Sequence, residues 1–321
     1  MIYIIITLIL VAAELAYFRI ASRFGIVDVP NVRSSHSADV LRGGGIIFLF
    51  GVWVWSAFFG FAYLWFLLSV TLAAGISLVD DISPLSISVR LVAQFIAMAL
   101  LFVQLGVFSN ATWWMVTLAL VVCVGAANIV NFMDGVNGIT GGYTMTVLVP
   151  LYLLNRELQF VDLSLIIITA IADAIFCFFN FRPKDKARCV AGDVGSIGIA
   201  YIMLFMILSL VMATGDVTYM IFLIVYGVDG CMTICHRILL HENLGQAHPR
   251  HAFQIMANEL GMSHISVSLI YMGLQLAISS GFILLIPATT AAHWIYLGVV
   301  LAVLIPAYIF LLSIASRMQS T

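Results

Sequence analysis

The sequence predicts an all-α, polytopic integral membrane protein. Hydrophobic residues make up 63% of the 321 residues, charged residues make up only 9%, and the mean hydropathy is +1.15. A water-soluble domain has about 25% charged residues. Apolar runs of roughly 20 residues, long enough to cross a bilayer core as helices, recur along the whole chain. The net charge of −2, with no basic tail, gives no indication of nucleic-acid binding.

These apolar runs predict about ten to eleven transmembrane helices within one domain, residues 1–321. The predicted helices span residues 2–20, 45–60, 62–79, 89–107, 112–129, 140–154, 163–180, 196–213, 217–235, 265–286 and 293–315.

The sequence around some of these spans adds detail. The first span has no basic flank and no small-residue cleavage site, so it is a retained helix rather than a signal peptide. Spans 45–60 and 62–79 are interrupted only near Gly60. The five cysteines lack metal-type spacing, and Cys231 and Cys235 are expected to be small apolar side chains of one helix.

The basic residues predict the orientation. In an eleven-span arrangement nearly all of them fall on one side, and only Arg156 falls on the other. By the positive-inside rule the N-terminus is then outside and the C-terminus is cytoplasmic. The segments predicted on the cytoplasmic face are residues 21–44, 80–88, 130–139, 181–195 and 236–264. Every unusual polar cluster lies in or beside these segments, and 236–264 is predicted to include an additional amphipathic piece.

The first cluster is the adjacent pair Asp80 and Asp81 at the end of a span. Neighbouring carboxylates at a membrane interface repel each other, and a cation or a raised pKa would relieve the repulsion. Oxygen ligands of this kind suit Mg²⁺. Alternatively, Asp81 or Ser83 caps the start of the following helix.

The second cluster is NIVNFMDGVNG, residues 128–138. Its polar members are three residues apart, so successive members are neighbours on a helical surface: Asn128, Asn131, Asp134 and Asn137. Gly135 disfavours a continuing helix and permits close backbone approach. Such a row could offer oxygens to a metal, or amide donors to a phosphate or sugar. A polar helix end with an Asn-Gly turn explains Asn137, but it explains poorly the two amides at membrane depth.

Three further clusters complete the set. Basic residues that include Lys184 precede GDVGS, in which Asp193 and Ser196 could hold a cation or an anion at a helix N-terminus, or simply cap the helix. His248, Arg250 and His251 could grip a diphosphate, or could belong to a solvated loop. The remaining cluster comprises Arg33, His36 and Arg42 with the three glycines that follow Arg42. Together the clusters indicate Mg²⁺-assisted chemistry on a phosphate or diphosphate at the membrane surface.

The ordered set PNVRSSH…RGGG, LVDD, NIVNFMDGVNG, AGDVGS and AHPRHAFQ resembles the polyprenyl-phosphate N-acetylhexosamine-1-phosphate transferases of glycosyl transferase family 4. The resemblance spans about residues 25–254 and is greatest to members that initiate O-antigen or capsule synthesis. It implies transfer from a UDP-N-acetylhexosamine to undecaprenyl phosphate with release of UMP, in a bacterial inner membrane. It also implies a dependence on Mg²⁺ or Mn²⁺ and the homodimeric state common among such enzymes.

The resemblance also implies roles for individual residues. Asn131 and Asp193 match metal-contacting positions, and Asp80 and Asp81 match an acidic pair whose first member is a base for the lipid phosphate. Asp134, Gly135 and Asn137 match the nucleotide-sugar segment, and His248, Arg250 and His251 match a loop near the diphosphate. Substrate contacts are further expected from a second group of residues: Arg33, His36, Arg42, Asn128, Lys184 and Ser196.

The chain departs from the family pattern at two points. Cys189-Val190-Ala191 stands where an aromatic residue often precedes the acidic segment, and the triple-histidine loop of the peptidoglycan enzymes is absent. The alternative function is a polytopic secondary transporter with an ion site open to the cytoplasm. Transporters concentrate polar residues at the bilayer midplane. Here Glu14 and Asp173 are the midspan acids, and they are expected to form interhelical hydrogen bonds.

Overall fold

A computed structural model describes residues 1–28, 40–242 and 251–319, with side chains described up to residue 314. The α-helices of these ranges are α1 Ile2–Phe24, α2 Ile46–Phe59, α3 Leu64–Ile82, α4 Ile87–Gln104, α5 Val107–Asn110, α6 Trp113–Met133, α7 Ile139–Leu158, α8 Leu163–Asn180, α9 Gly192–Thr214, α10 Ile224–Leu239, α11 Ala252–Gln254, α12 His264–Leu284 and α13 Thr290–Gln319. A 3-10 helix, Val217–Leu223, leads into α10, and a π-helix, Ile255–Glu259, follows α11.

The predicted all-α polytopic fold is confirmed. Within the described residues, nine helical segments are long and apolar enough to cross a membrane. Two more helices lie where spans are predicted: α2 is shorter, with 14 residues, and α7 has 20 residues that include several polar side chains. Every one of the eleven predicted spans therefore coincides with a helix, and the interruption near Gly60 is a real helix boundary.

Several predicted boundaries are wrong by a few residues. Helix α3 continues to Ile82, so the aspartate pair lies on its last turn rather than in a loop. Helix α6 continues to Met133, so Asn131 is also helical. Within the described part of the polar segment 236–264, α11 and the π-helix form the additional piece. The sequence patterns do not predict the two short antiparallel strands, β1 Val27–Asp28 and β2 Val40–Leu41.

Helix α9 is the centre of the bundle. It packs against α2, α3, α6 and α7, and 89% of its membrane-spanning window is buried. A helix that is apolar on all sides is typical of such a position. At its start, a Cβ on Gly195 would lie 2.5 Å from the Cα of Gly45, so α9 and α2 meet backbone to backbone.

The helix ends sort into two groups. Hydrogen bonds and ion pairs join the ends of α3, α6 and α8 to the starts of α7, α9 and α12, and we call this the polar end of the bundle. The start of α13 pairs with the residues that follow α9 at the opposite end. Exposed tryptophans at the starts of α3, α6 and α13 also lie at this opposite end, as in the aromatic belts of membrane interfaces. The compartment that each end faces stays a prediction.

Candidate functional site

The site is built around the buried carboxylate of Asp81, whose side chain is 0% exposed. Its Oδ1 lies 2.7 Å from Nε of Arg42 and accepts the backbone N–H of Asp193 at 3.0 Å. Its Oδ2 accepts the N–H of Val194 at 2.9 Å. Asp81 therefore does cap a helix, but the helix is α9, 112 residues along the chain. Since a carboxylate already fills the positive N-terminus of α9, this is not a free anion site.

The glycines after Arg42 bring it to Asp81. The N–H groups of Gly44 and Gly45 donate to the carbonyls of Val190 and Ala191 at 2.9 and 3.1 Å. A Cβ on Gly44 would lie 2.5 Å from Sγ of Cys189, so a larger residue does not fit between these segments. The RGGG motif thus packs the chain before α2 against the chain before α9.

Asp80 faces a different way and has a different partner. Its Oδ1 accepts the N–H of Leu85 at 2.6 Å, and its Oδ2 lies 2.9 Å from Nη1 of Arg90. The same Arg90 nitrogen lies 3.6 Å from Oδ2 of Asp193, so one guanidinium group neutralises both carboxylates. The start of α4 is capped by Ser86 instead of Asp81 or Ser83.

Asn131 joins α6 to this acidic group. Its Nδ2 donates to Oδ1 of Asp193 at 3.0 Å and to the hydroxyl of Ser196 at 2.9 Å. The Ser196 side chain is buried and donates in turn to the carbonyl of Gly192. Ser196 therefore supports Asn131 from inside the bundle and does not cap α9.

The loop between α6 and α7 carries Asp134 beside this cluster. Thr140 donates to Oδ1 of Asp134 at 2.6 Å. Burial raises the pKa of Asp134 to about 7, although the Thr140 hydrogen bond acts in the opposite direction. Gly138 has φ +85, and a Cβ there would overlap the ring of Phe181, so only glycine fits this turn.

Two amides of the 128–138 motif have structural partners instead. Asn128 and Gln94 form a reciprocal pair between α6 and α4, with Nδ2 of Asn128 2.6 Å from Oε1 of Gln94. Asn137 is 1% exposed, and its Nδ2 donates to the carbonyls of Arg182 and Pro183 at 2.9 and 3.1 Å. Both amides therefore hold helices and loops together, and their predicted contacts to substrate gain no support from this geometry.

The histidine predicted beside the diphosphate, His251, is also largely buried. Its Nδ1 lies 3.3 Å from Oδ1 of Asp229 on α10. Lys184 is exposed in the loop after α8. Four further predicted site residues lie outside the described residues, and their roles stay predictions: Arg33, His36, His248 and Arg250.

Sequence reasoning missed Arg90 and Asp229. Arg90 is one of the basic residues that predict the orientation, and its position ten residues after Asp80, across a helix boundary, is compatible with a contact. Asp229 lies alone in an apolar helix, and no local pattern marks it. A lone acid within a predicted span is the one available signal.

The charged groups of the site indicate what kind of metal ion it could hold. Four carboxyl groups (Asp80, Asp81, Asp134 and Asp193) are accompanied by two guanidinium groups, from Arg42 and Arg90. Among the described residues, no group of three His, Cys, Asp or Glu side chains is arranged to hold a metal by itself. Mg²⁺ commonly uses one or two carboxylates together with waters and substrate phosphates. The cluster therefore fits an ion that arrives with a phosphorylated substrate better than a permanently caged one.

Comparison with known proteins finds similarity over much of the chain. Residues 63–212 match the family model described as "Glycosyl transferase family 4". The chain is 28% identical over 315 residues to the "Probable undecaprenyl-phosphate N-acetylglucosaminyl 1-phosphate transferase" of Bacillus subtilis (strain 168), covering 89% of this chain and 84% of the relative. The chain is similar to members of glycosyl transferase family 4. The predicted family resemblance is thereby confirmed.

A second relative matches over a shorter stretch. It is the phospho-N-acetylmuramoyl-pentapeptide-transferase of Thermotoga neapolitana, 34% identical over 86 residues, or 27% of each chain. The segment that matches the family 4 model begins before Asp80 and ends after Ser196, so it contains the whole acidic cluster. Arg42 and Asp229 lie outside that segment. In the folded chain Arg42 contacts Asp81, and Asp229 contacts His251.

Proposed function

We propose that this protein transfers N-acetylhexosamine-1-phosphate from a UDP-sugar to undecaprenyl phosphate, releases UMP and so initiates a surface polysaccharide such as an O-antigen or capsule. One observation carries the proposal: Asp80, Asp193 and Asn131 meet Arg42 and Arg90 at one end of a membrane-spanning bundle, in a chain that matches the family 4 model over residues 63–212. Such a position suits a reaction between a water-soluble nucleotide sugar and a lipid phosphate. The long match to the Bacillus subtilis relative supports the same reaction class.

The transfer joins two anions, so neutralising charge and aligning the groups should lower its barrier more than covalent catalysis would. An oxygen of the lipid phosphate attacks the sugar-linked phosphorus of the UDP-sugar. A new P–O bond forms, the P–O bond to UMP breaks, and UMP leaves with the electron pair of that bond. The route through an aspartyl-phosphate remains the alternative to this direct displacement.

Mg²⁺ would be held by Asp193 and Asn131, with Asp80 beside them. When bound, such an ion neutralises the diphosphate and the leaving phosphate. The amide of Asn131 directs Nδ2 towards Asp193, and a half-turn of its amide plane would direct Oδ1 there instead. Its Nδ2 contacts two acceptors in the cluster, which places the amide where such a rotation would present an oxygen to the ion.

Asp80 is the better placed of the two adjacent acids to act on the lipid phosphate. It keeps a contact with the partly exposed Arg90, whose side chain is 35% exposed, whereas Asp81 is wholly engaged by Arg42 and α9. Asp80 would orient the lipid phosphate or accept its proton, and Arg90 would supply positive charge beside it. Asp81 holds Asp193 in place.

An open apolar groove between α3 and α4 supports docking of the prenyl chain near Asp80. Its volume is 360 Å³, and the surface of its lining is almost entirely apolar. The groove is lined by Leu72, Ser88, Val89, Val92, Ala93 and Ile96. Arg90 is on the same first turns of α4, so a chain in this groove would carry its phosphate to the Asp80–Arg90 pair.

The decisive experiment is an assay of purified protein for UMP release from UDP-GlcNAc, with and without undecaprenyl phosphate and Mg²⁺. We expect release only when the lipid and the ion are both present, and a panel of UDP-hexosamines identifies the preferred sugar. Replacing Mg²⁺ with Mn²⁺ tests the choice of ion. Lipid-independent release, or none with any UDP-sugar, would contradict the proposal.

The transporter alternative has one observation in its favour. The expectation of interhelical hydrogen bonds for Glu14 and Asp173 is wrong, because their buried carboxyl oxygens have no hydrogen-bond partner in the described structure. Unpaired intramembrane acids occur in proton-coupled transporters. Uptake of labelled UDP-sugar into proteoliposomes without UMP release would favour transport over transfer.

A further inference from the structure

A second polar cluster lies on α10, outside the segment that matches the family model, and its centre is Asp229. The residue is 3% exposed, and its two carboxylate oxygens contact groups on its own helix, on α12 and at the start of α11. Oδ2 accepts the hydroxyl of Tyr271 on α12 at 2.5 Å. Oδ1 accepts the N–H of Ala252 at 3.0 Å and lies 3.3 Å from Nδ1 of His251.

These contacts attach the start of α11 to the bundle. The Ala252 amide and the His251 ring are both held by the same carboxylate oxygen. The side chain of Gln254 accepts the N–H of His251 at 3.2 Å, which closes the first turn of α11. The backbone from His251 to Gln254 is therefore fixed relative to α10 and α12.

The same turn places Phe253 against the loop that follows α6. Phe253 is fully buried, and a Cβ on Gly135 would lie 2.6 Å from its ring. The ring centroids of His251 and Phe253 are 5.8 Å apart and nearly parallel, and the ring of Phe132 lies 6.3 Å from that of His251. A continuous set of contacts thus leads from Asp229 through His251 and Phe253 to the backbone beside Asp134.

We infer that Asp229 is a positioning residue for the transferase site. It acts through His251, Ala252 and Phe253 to hold the Asp134–Gly135 backbone in the geometry that receives the nucleotide sugar. Asp229 itself touches no substrate, since it is buried beneath these residues. The inference rests on the proposed function for its substrate, but the mechanical coupling can be measured without any turnover.

The chain offers a matched control at the opposite end of the bundle. Asp216 is also a buried aspartate, and it also pairs with a histidine, since its Oδ2 lies 2.7 Å from Nδ1 of His293. It also accepts two hydrogen bonds, from the backbone and hydroxyl of Thr218. Asp216→Asn therefore removes the same charge from the same type of pair, at a distance from the acidic cluster.

The first test is hydrogen exchange by mass spectrometry on the full-length protein in detergent. In Asp229→Asn we expect faster exchange both at residues 251–254 and at residues 134–138, and in Asp216→Asn at neither segment. Tyr271→Phe, which removes one bond to Oδ2 and leaves the charge, should give the same pattern more weakly. Faster exchange confined to residues 251–254 would overturn the inference, because the coupling to the loop would then be absent.

The second test is kinetic. Loss of a charge-assisted hydrogen bond corresponds to about a ten- to hundredfold change, and we expect a loss of that size in kcat/KM for the UDP-sugar in Asp229→Asn. The KM for undecaprenyl phosphate should not change, whereas general misfolding would lower the active fraction and leave both KM values unchanged. In a His251→Gln background Asp229→Asn should add little further loss, because both changes break the same connection.

The outcomes separate the two proposals. A wild-type protein that releases no UMP contradicts the transfer reaction, and the exchange experiment then still decides the positioning role. A wild-type protein that is active, together with an Asp229→Asn variant of unchanged kcat/KM, overturns the positioning role and leaves the transfer reaction intact. Equal kinetic losses in Asp216→Asn would also overturn it, since the effect would then be general.

Discussion

The two ends of α9 both carry buried aspartates, but they differ in how those aspartates are neutralised. At the opposite end, Asp216 has its hydrogen-bond donors from Thr218 and His293 within a few ångströms. At the polar end, Arg90 is shared between Asp80 and Asp193, and Asp193 keeps a side-chain exposure of 23%. In the first arrangement the protein supplies a donor to each oxygen of the carboxylate. In the second, counted over the described residues, two guanidinium groups face four carboxyl groups.

This difference separates a structural polar cluster from a functional one. Burial of a charge is tolerated when the protein itself supplies its partners. A cluster in which carboxylates outnumber cations and remain accessible gains stability from a cation or from a ligand that brings one. Changes at the polar end should therefore appear mainly in activity, and changes at the opposite end mainly in stability.

The largest effect should follow from Asp193→Asn. The variant keeps the shape of the side chain but removes the charge that faces Arg90 and the predicted metal position. We expect UMP release to fall by about a hundred- to a thousandfold, the range seen when a group that stabilises transition-state charge is lost. Near-normal turnover would show that Asp193 has no role in the reaction. It would also contradict the expectation that changes at the polar end act mainly on activity. The melting temperature, measured in parallel, shows whether the variant is folded.

Asp81→Asn should have the next largest effect, and it should appear in both measurements. The amide can accept only one of the two backbone hydrogen bonds at the start of α9 and leaves Arg42 without its closest partner. We expect a loss of about 2–3 kcal/mol in the free energy of unfolding. Activity should fall because the backbone N–H of Asp193 is one of the two donors to Asp81, so the substitution displaces Asp193. Unchanged stability with lost activity would mean that Asp81 acts directly in the chemistry and is more than a helix cap.

Asp216→Asn should lower stability and leave turnover unchanged. Burial acts to raise the pKa of Asp216, but the hydrogen bonds from Thr218 and His293 outweigh it and the pKa is lowered. An acid whose pKa is lower in the folded state stabilises the fold above its unfolded pKa of about 3.9, and this contribution is lost as the pH falls through the folded value. The difference in melting temperature between wild type and variant should therefore shrink as the pH approaches that range. A difference that grows on acidification would contradict this assignment.

The smallest effect should come from Asn128→Ala. The side chain is engaged by Gln94 and by the carbonyl of Val124, so the substitution removes an interhelical bond between α6 and α4. Hydrogen bonds of this type inside membranes contribute about 0.6 kcal/mol on average. We expect a small drop in melting temperature and an unchanged KM for the UDP-sugar. A raised KM for the UDP-sugar would support the predicted contact between Asn128 and the substrate.

Much of this molecule follows from periodicity and charge. The helical spans are predictable because a bilayer requires long apolar helices. The arginines add a prediction of the compartment that each end of the bundle faces. The grouping of Asp80, Asn131 and Asp193 is predictable because successive spans cross the membrane in opposite directions. Two of these residues end a span and the third begins one, and the predicted span order puts all three on the same side. These inferences need no knowledge of which helices touch.

The partner of each side chain within the cluster is not predictable in the same way. Asp80 and Asp81 are adjacent, but successive residues of a helix point about 100° apart, so one turns to α9 and the other to Arg90. Asn128, Asn131 and Asn137 look alike in the motif, yet their partners are Gln94, Asp193 and the chain after α8. Each partner lies far away in the sequence, and a single sequence contains no record of such pairings.

The burial of α9 also constrains the order in which this protein can be assembled during synthesis. A ribosome releases α1 to α8 into the membrane before α9, yet α9 is the helix that α2, α3, α6 and α7 surround. The earlier helices therefore insert before the helix that they share, and their contacts with it form only after residue 214 has left the ribosome. The glycine contact between Gly45 and Gly195 leaves no room for side-chain mismatch when α9 enters. Chains that terminate before α9 should accordingly expose the faces of α2, α3, α6 and α7 that α9 covers in the complete bundle.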